Sequence, residues 1–289
     1  MWVIFALLGA VAKALTSFIR KKISNTNNAI YVFLSFSIIT ILLTSIVIIL
    51  PGESISSIKL APIALLISGL IQIVAIRANL YAFKNEELSY ITPMFALTPL
   101  YAAIIGFLIL GEIPSWMGAL GILAITVGVY TVTNKKGIGL RQTAKQLVKN
   151  KGARAGMLVP ISYAVSAVFN KDALNKGVTP LASLILIMGV MGLAHAYVLF
   201  KNTKEVKATI KNKKLRNLIL LASITGLASV GFASLALNDA FASYTLSIRR
   251  LDVLITVFLG WKFMGDSDFK RRLVGTLIMT AGVFLVSFG

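Results

Sequence analysis

The feature that most constrains the fold of this chain is an internal repeat. Residues 89–132 align with residues 243–286 at a constant offset of 154 without a gap, and 12 of the 44 aligned pairs are identical. The matches include residue types that are unfavourable in an apolar helix, namely glycine at four positions and a carboxylate at one helix end. The pairs are Gly106/Gly260, Gly111/Gly265, Glu112/Asp266, Gly121/Gly275 and Gly128/Gly282. In an apolar chain, such a repeat is typical of transporters, in which the binding site lies between the two halves.

The composition places this repeat in a membrane. Hydrophobic residues make up 57% of the chain and charged residues 13%, whereas soluble domains carry about 25% charged residues. The chain has no cysteine and one histidine, so we expect no disulfide, no metal site and no cofactor. The first apolar stretch, Trp2–Ile19, lacks a basic leader region, and we interpret it as a mature helix rather than a signal peptide.

Ten stretches are long and apolar enough to cross a membrane, which takes about 20 residues. Because the backbone must satisfy its own hydrogen bonds in lipid, the spans are predicted to be helices. The fold class is therefore an all-α integral membrane protein with a first five-helix repeat at 1–132, a basic linker at 133–154 and a second five-helix repeat at 155–289. The predicted spans lie at 2–19, 29–50, 61–82, 88–110, 115–132, 155–172, 180–200, 218–238, 243–263 and 272–288.

The basic residues predict the orientation of these spans. The net charge is +19, and the loops that follow odd-numbered spans hold 22 lysines and arginines against 3 in the other loops. The positive-inside rule then puts the odd loops in the cytoplasm and both termini outside the plasma membrane. This distribution favours contact with anionic lipid at the cytoplasmic face over binding of nucleic acid. Residues 138–149 and 201–216 are predicted to form short amphipathic surface helices.

Five helices in each repeat give the second copy the opposite orientation. The fourth span runs outward and the ninth runs inward, although the two align residue for residue. We therefore predict an inverted-topology pair related by an axis in the membrane plane. The glycines of the fifth and tenth spans recur seven residues apart, about two helical turns, so each pair lies on one stripe where helices can pack closely.

The repeat resembles the EamA-type carriers of the drug/metabolite transporter superfamily. The resemblance rests on the ten spans, the five-plus-five repeat and the Gly-(Glu/Asp) pair that ends the fourth helix of each half. It implies alternating access by two bundles around a central cavity, and it does not specify a substrate. Pro93 and Pro99 are expected to bend the fourth span. Val253 aligns with Pro99, so the second half lacks the proline that is usual in this family.

The functional information lies where the two copies differ. The segment Phe95-Ala96-Leu97-Thr98 aligns with Arg249-Arg250-Leu251-Asp252. Charges inside a span are rare and indicate a functional site. Arg249 and Asp252 are spaced i, i+3 and can touch, so a closed structural ion pair is the alternative interpretation. Arg250 is rotated about 100° from Arg249 and is expected to face another wall of the cavity.

Further candidates for substrate binding come from other spans. Lys13 lies near the middle of the first span, although a reorientation of that helix would bring its amine to the membrane surface. Tyr90, Tyr244, Tyr163 and Asn79 offer neutral hydrogen bonds, and each is equally well explained as a polar residue in helix packing.

These residues predict a permease that moves a small organic anion or zwitterion, such as an amino acid. The mid-span charges are Lys13, Arg249 and Arg250 against Asp252, and arginine suits carboxylate or phosphate. The alternatives are an exporter of lipophilic cations and, from other classes, a channel or a membrane-embedded enzyme, for which no motif is found. We expect a monomer or weak dimer, and Asp252 leaves proton coupling open.

Overall fold

A computed structural model describes residues 1–24, 35, 38–39, 53–85, 95, 97–133, 151–264 and 269–288. These residues are almost entirely helical, and no strand occurs among them. Twelve α-helices follow one another along the described chain: α1 (Trp2–Ser24), α2 (Glu53–Ser56), α3 (Pro62–Asn85), α4 (Thr98–Leu110), α5 (Trp116–Thr133), α6 (Lys151–Asn175), α7 (Pro180–Lys201), α8 (Thr203–Lys211), α9 (Lys213–Asp239), α10 (Ala242–Arg249), α11 (Asp252–Met264) and α12 (Phe269–Phe288).

Four of these helices are long and apolar enough to cross a membrane, namely α1, α3, α7 and α9. Three shorter apolar helices lie at Thr98–Leu110, Trp116–Gly128 and Leu273–Val286. The chain is therefore an all-helical, multi-pass membrane protein. Most of the predicted second span, 29–50, and residues 88–94 of the fourth lie outside the described residues, so the arrangement of ten spans stays a prediction.

The helices extend beyond the apolar stretches that reveal them in the sequence. α1 continues to Ser24, α6 begins at Lys151 within the predicted linker, and α9 begins at Lys213. Lysine and arginine are good helix formers, so hydropathy marks the edge of the membrane rather than the end of the helix. The predicted surface helix within 201–216 is present as α8, whereas the one at 138–149 lies outside the described residues.

The chain divides into two compact units, each of which contains helices from both halves of the sequence. The first unit comprises Met1–Leu70 and Phe169–Asp239. Here α1 packs antiparallel to α9. The hydroxyl of Ser229 donates to the carbonyl of Gly9 over 3.1 Å, and Thr16 donates to Thr225 over 2.8 Å.

A buried lysine caps the C-terminal end of α9 in the first unit. The ammonium group of Lys171 donates to the carbonyl oxygens of Leu237 over 2.8 Å and of Asn238 over 3.2 Å. These carbonyls belong to the last turn of α9, where a cation is favoured by the helix dipole. The sequence counts Lys171 among the loop charges, whereas the structure places it inside α6 as a buried cap.

The second unit, Ile71–Val168 with Ala240–Gly289, is built on the close crossing of α5 and α12. A methyl group added at Gly121 would lie 2.6 Å from the carbonyl oxygen of Gly282, and one at Gly128 would lie 2.6 Å from that of Gly275. The order of these contacts makes the two helices antiparallel. The glycine stripes are therefore packing surfaces, and the contacts are reciprocal between equivalent positions of the two repeats.

A second antiparallel pair in this unit, α4 with α10, carries the charged residues. Ala102 of α4 and Leu246 of α10 belong to one buried cluster, together with Ala164 and Ala167 of α6. Small side chains on α4 and α6 allow α10 to approach closely. This packing fixes α10 and thereby the position of Arg249 and Arg250 at its end.

Candidate functional site

The predicted ninth span is two helices rather than one. α10 ends at Arg249, and α11 begins at Asp252. Between them the backbone tightens, because Arg250 donates to the carbonyl of Ser247 and Leu251 to that of Ile248, each over 3.0 Å. These are i to i−3 bonds of the 3₁₀ type, which in the middle of a helix often mark a functional hinge. The prediction of one continuous helix over 243–263 is wrong, because the structure interrupts it at Arg250 and Leu251. The sequence did not reveal the interruption because it contains no proline there.

The charged residues match the helix ends that the interruption creates. Arg249 lies in the last turn of α10, and Asp252 lies in the first turn of α11. A cation near a helix C-terminus and an anion near an N-terminus are each favoured by about 0.3–1 kcal/mol. The two charges therefore stabilise a break in an otherwise apolar segment, in addition to any role in binding.

Arg249, Arg250, Asp252 and Tyr163 form one electrostatic cluster in the second unit. The carboxylate of Asp252 and the phenol of Tyr163 interact electrostatically with both guanidinium groups, and the two arginines interact with each other. Arg250 and Asp252 are buried, whereas Arg249 is half-buried. The structure thus brings four of the predicted site residues together, and Arg249 is the more accessible of the two arginines.

Arg250 joins this cluster to the start of α4. Its Nη2 donates to the hydroxyl of Thr98 over 2.6 Å, and that hydroxyl donates to the carbonyl of Phe95. Within the described residues, the buried Nε of Arg250 makes no hydrogen bond. Thr98 was not recognised as a site residue from the sequence. The signal was present in the repeat, since Thr98 aligns with Asp252.

The opposite end of α10 is held by Glu112. Its Oε2 accepts a hydrogen bond from the backbone amide of Ala242, the first residue of α10, over 3.3 Å. Gly111 adopts a positive φ of 67° and turns the chain, so that the amide of Glu112 donates back to the carbonyl of Gly106. The Gly-Glu pair of the first repeat is therefore a capping device for α10. The equivalent Asp266 lies outside the described residues.

Tyr244 is engaged in packing between α10 and α5. Its hydroxyl accepts from the amide of Ser115 over 2.8 Å and lies 3.3 Å from the hydroxyl of the same residue. A methyl group at Gly118 would collide with the Tyr244 ring and hydroxyl. These contacts support the packing interpretation of Tyr244.

Two of the remaining predicted residues belong to other helices. Lys13 is half-buried on α1 in the first unit, and Asn79 is half-buried on α3 in the second unit. Tyr90 lies outside the described residues.

A charged break in an apolar helix of a multi-pass membrane protein is typical of proteins that move solutes. A family model described as the EamA-like transporter family matches residues 1–134 and 150–288. The chain belongs to this family, as the resemblance in the sequence predicts. Among curated proteins, none has a significantly similar sequence.

The fold also occurs in solved structures. One, titled only as the crystal structure of a protein, superposes with a TM-score of 0.68 at 12% identity, covering 98% of this chain and 96% of the other. At this identity the similarity concerns the fold alone.

Proposed function

We propose that this chain is a secondary transporter of the plasma membrane that moves a small organic anion or zwitterion, such as an amino acid, by alternating access. Membership in a transporter family supports the general activity. The observation that carries the choice of solute is the pair of arginines at the break between α10 and α11. A guanidinium group offers a planar fork of donors that matches a carboxylate or phosphate.

The excess of cations over carboxylates near the middle of the predicted spans supports an anionic group on the solute. Lys13, Arg249 and Arg250 are cations inside predicted spans, and Asp252 is the carboxylate among them. A solute carboxylate beside Arg249 would be attracted, whereas a compact cation would be repelled. Arg250, held by Thr98, positions the break, and Arg249, the less buried of the two side chains, is assigned to bind the solute.

Two glycine contacts at the crossing of α5 and α12 support an inverted repeat of ten spans. The α5/α12 contacts pair Gly121 with Gly282 and Gly128 with Gly275, while the sequence repeat equates Gly121 with Gly275 and Gly128 with Gly282. This exchange of partners is what a local two-fold axis between equivalent helices produces. Alternating access in repeat transporters uses this symmetry.

The main competing function is export of lipophilic cations. That chemistry needs an accessible carboxylate, and Asp252 is the one carboxylate that lies well inside a predicted span. In the structure Asp252 is buried, and its charge acts on two arginines. These neighbours offset the attraction that Asp252 would otherwise exert on a cation, so the anionic or zwitterionic solute is favoured.

A thermal-shift screen of the purified protein tests the proposal, because a ligand that binds the folded state raises its apparent stability. The panel comprises amino acids, organic acids, sugar phosphates and quaternary ammonium compounds. We expect stabilisation by a carboxylated or phosphorylated compound, followed by saturable counterflow of that compound in proteoliposomes. Stabilisation by quaternary ammonium compounds alone would establish the exporter function instead, and flux that rises linearly with concentration would indicate a channel.

A further inference from the structure

We propose that α8, together with the adjoining ends of α7 and α9, forms a binding site for the headgroups of anionic phospholipids. The proposal concerns only the first unit, and it does not depend on which solute the protein carries. It rests on how α8 is docked, on the charges along its outer face and on the aromatic residues beside it.

α8 is fixed at the common end of three apolar helices. Thr209 is buried, and Val206 packs against a buried cluster of Ile19, Ile219 and Ala222. These cluster residues belong to the last part of α1 and the first part of α9, and Leu199 near the end of α7 packs against them as well. One face of α8 is therefore attached to the ends of helices that cross the membrane, and α8 lies at the level where those helices leave it.

The outer face of α8 is a stripe of exposed cations. Lys204, Lys207 and Lys211 are spaced i, i+3 and i+7 and are all exposed, so they lie on one side of the helix. Within the described residues, none of the three forms an ion pair. Lysines at this spacing repel one another, and bound anions would relieve the repulsion.

The stripe is part of a larger basic region at the same end of the unit. The exposed cations beside it are Lys201 at the end of α7 and Lys213, Lys214 and Arg216 at the start of α9. Glu205 is the acidic residue of α8. Each lysine or arginine near an anionic membrane surface strengthens binding about fivefold.

The neighbouring surface of α7 identifies the anion as a lipid. Leu193, Tyr197 and Phe200 are 77%, 62% and 81% exposed, and they precede Lys201, whose ammonium lies 5.1 Å above the Tyr197 ring. A progression from aliphatic to aromatic to basic side chains within about two turns follows the depth profile of a bilayer. Because α7 crosses the membrane, these side chains face the bilayer, and the lysines that follow them lie at the level of the phospholipid headgroups rather than in bulk water.

Binding of dioleoylphosphatidylglycerol to the purified full-length protein in detergent tests the site, with dioleoylphosphatidylcholine as the neutral lipid. Affinity is read from the rise in apparent Tm during titration. The K207Q/K211Q variant removes two charges from the stripe, and K59Q/K176Q removes the same number from exposed lysines elsewhere in the unit. We expect the first variant to lose affinity for the anionic lipid by about 25-fold and the second to stay within about twofold of the wild type.

Glycerol 3-phosphate distinguishes a lipid headgroup from a soluble phosphate. We expect it to produce no shift at the phosphate concentration at which phosphatidylglycerol saturates. An equal shift would overturn the lipid assignment in favour of a site for small soluble anions. Equal losses in the two double variants, or equal stabilisation by phosphatidylcholine, would show that α8 is not the site or that headgroup charge is not recognised.

Discussion

Arg250 and Thr98 join the break of one repeat to the corresponding point of the other. The Nη2 of Arg250 donates to the hydroxyl of Thr98 over 2.6 Å, and Thr98 stands in the first repeat where Asp252 stands in the second. α4 begins at Thr98, and α11 begins at Asp252. In both repeats a helix therefore starts at the same register, and Arg250 binds the first of these starts.

The substitution Thr98→Val is expected to destabilise the protein by about 1–3 kcal/mol, because it leaves a buried guanidinium donor without its acceptor. Valine keeps the shape of threonine, so the loss reflects the hydroxyl rather than packing. Thermal or denaturant unfolding in detergent measures the change. Thr98→Ser retains the hydroxyl and is the matched control. Equal stability of the valine variant and the wild type would show that the Arg250–Thr98 bond makes no net contribution.

The glycine crossing of α5 and α12 predicts a strong positional contrast. Gly121→Ala places a methyl group 2.6 Å from the carbonyl oxygen of Gly282 and is expected to destabilise by about 1–3 kcal/mol through overpacking. At Gly189 of α7, no described atom lies within 4 Å of such a methyl group. Gly189→Ala should therefore be neutral or stabilising by up to about 1 kcal/mol, since alanine is the better helix former. The same unfolding measurement compares the two, and similar effects would contradict the close crossing.

The repeat and the hydropathy allow much of this architecture to be predicted. The glycine stripes follow from their spacing of two turns, and the predicted seventh span, 180–200, differs from α7 by one residue. The break after Arg249 could not be predicted in the same way, because Val253 replaces proline and the local sequence contains no glycine. It depends on charges that suit helix ends and on the tertiary bond to Thr98, which no local pattern encodes.

The capping role of Glu112 explains why an acidic residue ends the fourth helix of the first repeat. Glu112→Ala removes the acceptor for the first amide of α10 and is expected to destabilise by about 0.5–2 kcal/mol, as for other lost N-caps. Glu112→Gln keeps an oxygen acceptor and should lose less, because only the charge is removed. Unfolding midpoints of the two variants measure the difference. If glutamine is as harmful as alanine, the carboxylate has a role other than capping.

The roles of several side chains could not be predicted from the sequence, because they depend on long-range contacts. Three side chains form hydrogen bonds with groups at least 66 positions away in the chain, namely those of Lys171, Glu112 and Tyr244. From the sequence, Lys171 is counted as a loop charge, and Tyr244 fits substrate binding and helix packing equally well. These hydrogen bonds form only when the helices pack together. A local sequence pattern does not indicate which helices will be neighbours, so it cannot predict the bonds.

The orientation is testable because the chain has no native cysteine. Lys207→Cys and Lys176→Cys place single thiols on exposed positions after the predicted seventh and sixth spans. The positive-inside rule predicts that a membrane-impermeant maleimide labels Cys at 176 in intact cells and Cys at 207 only after the membrane is opened. The reverse pattern would invert the orientation and place both termini in the cytoplasm. Labelling of both positions in intact cells would contradict the predicted spans between them.

The charge of Arg249 provides the most direct test of the solute class. Arg249→Gln is expected to weaken binding of the transported anion by about 10- to 100-fold, the loss of one charge-assisted hydrogen bond. Because Arg249 also interacts with the buried Asp252, the apparent Tm is expected to fall as well, so affinities are compared at a temperature at which both proteins are folded. Arg249→Lys keeps the charge without the fork, so an intermediate affinity would indicate bidentate recognition of a carboxylate or phosphate.

Counterflow in proteoliposomes measures affinity, and the apparent Tm reports folding. A glutamine variant that transports the anion with unchanged affinity removes Arg249 from the site, and tighter binding of quaternary ammonium compounds by that variant would instead favour export of cations.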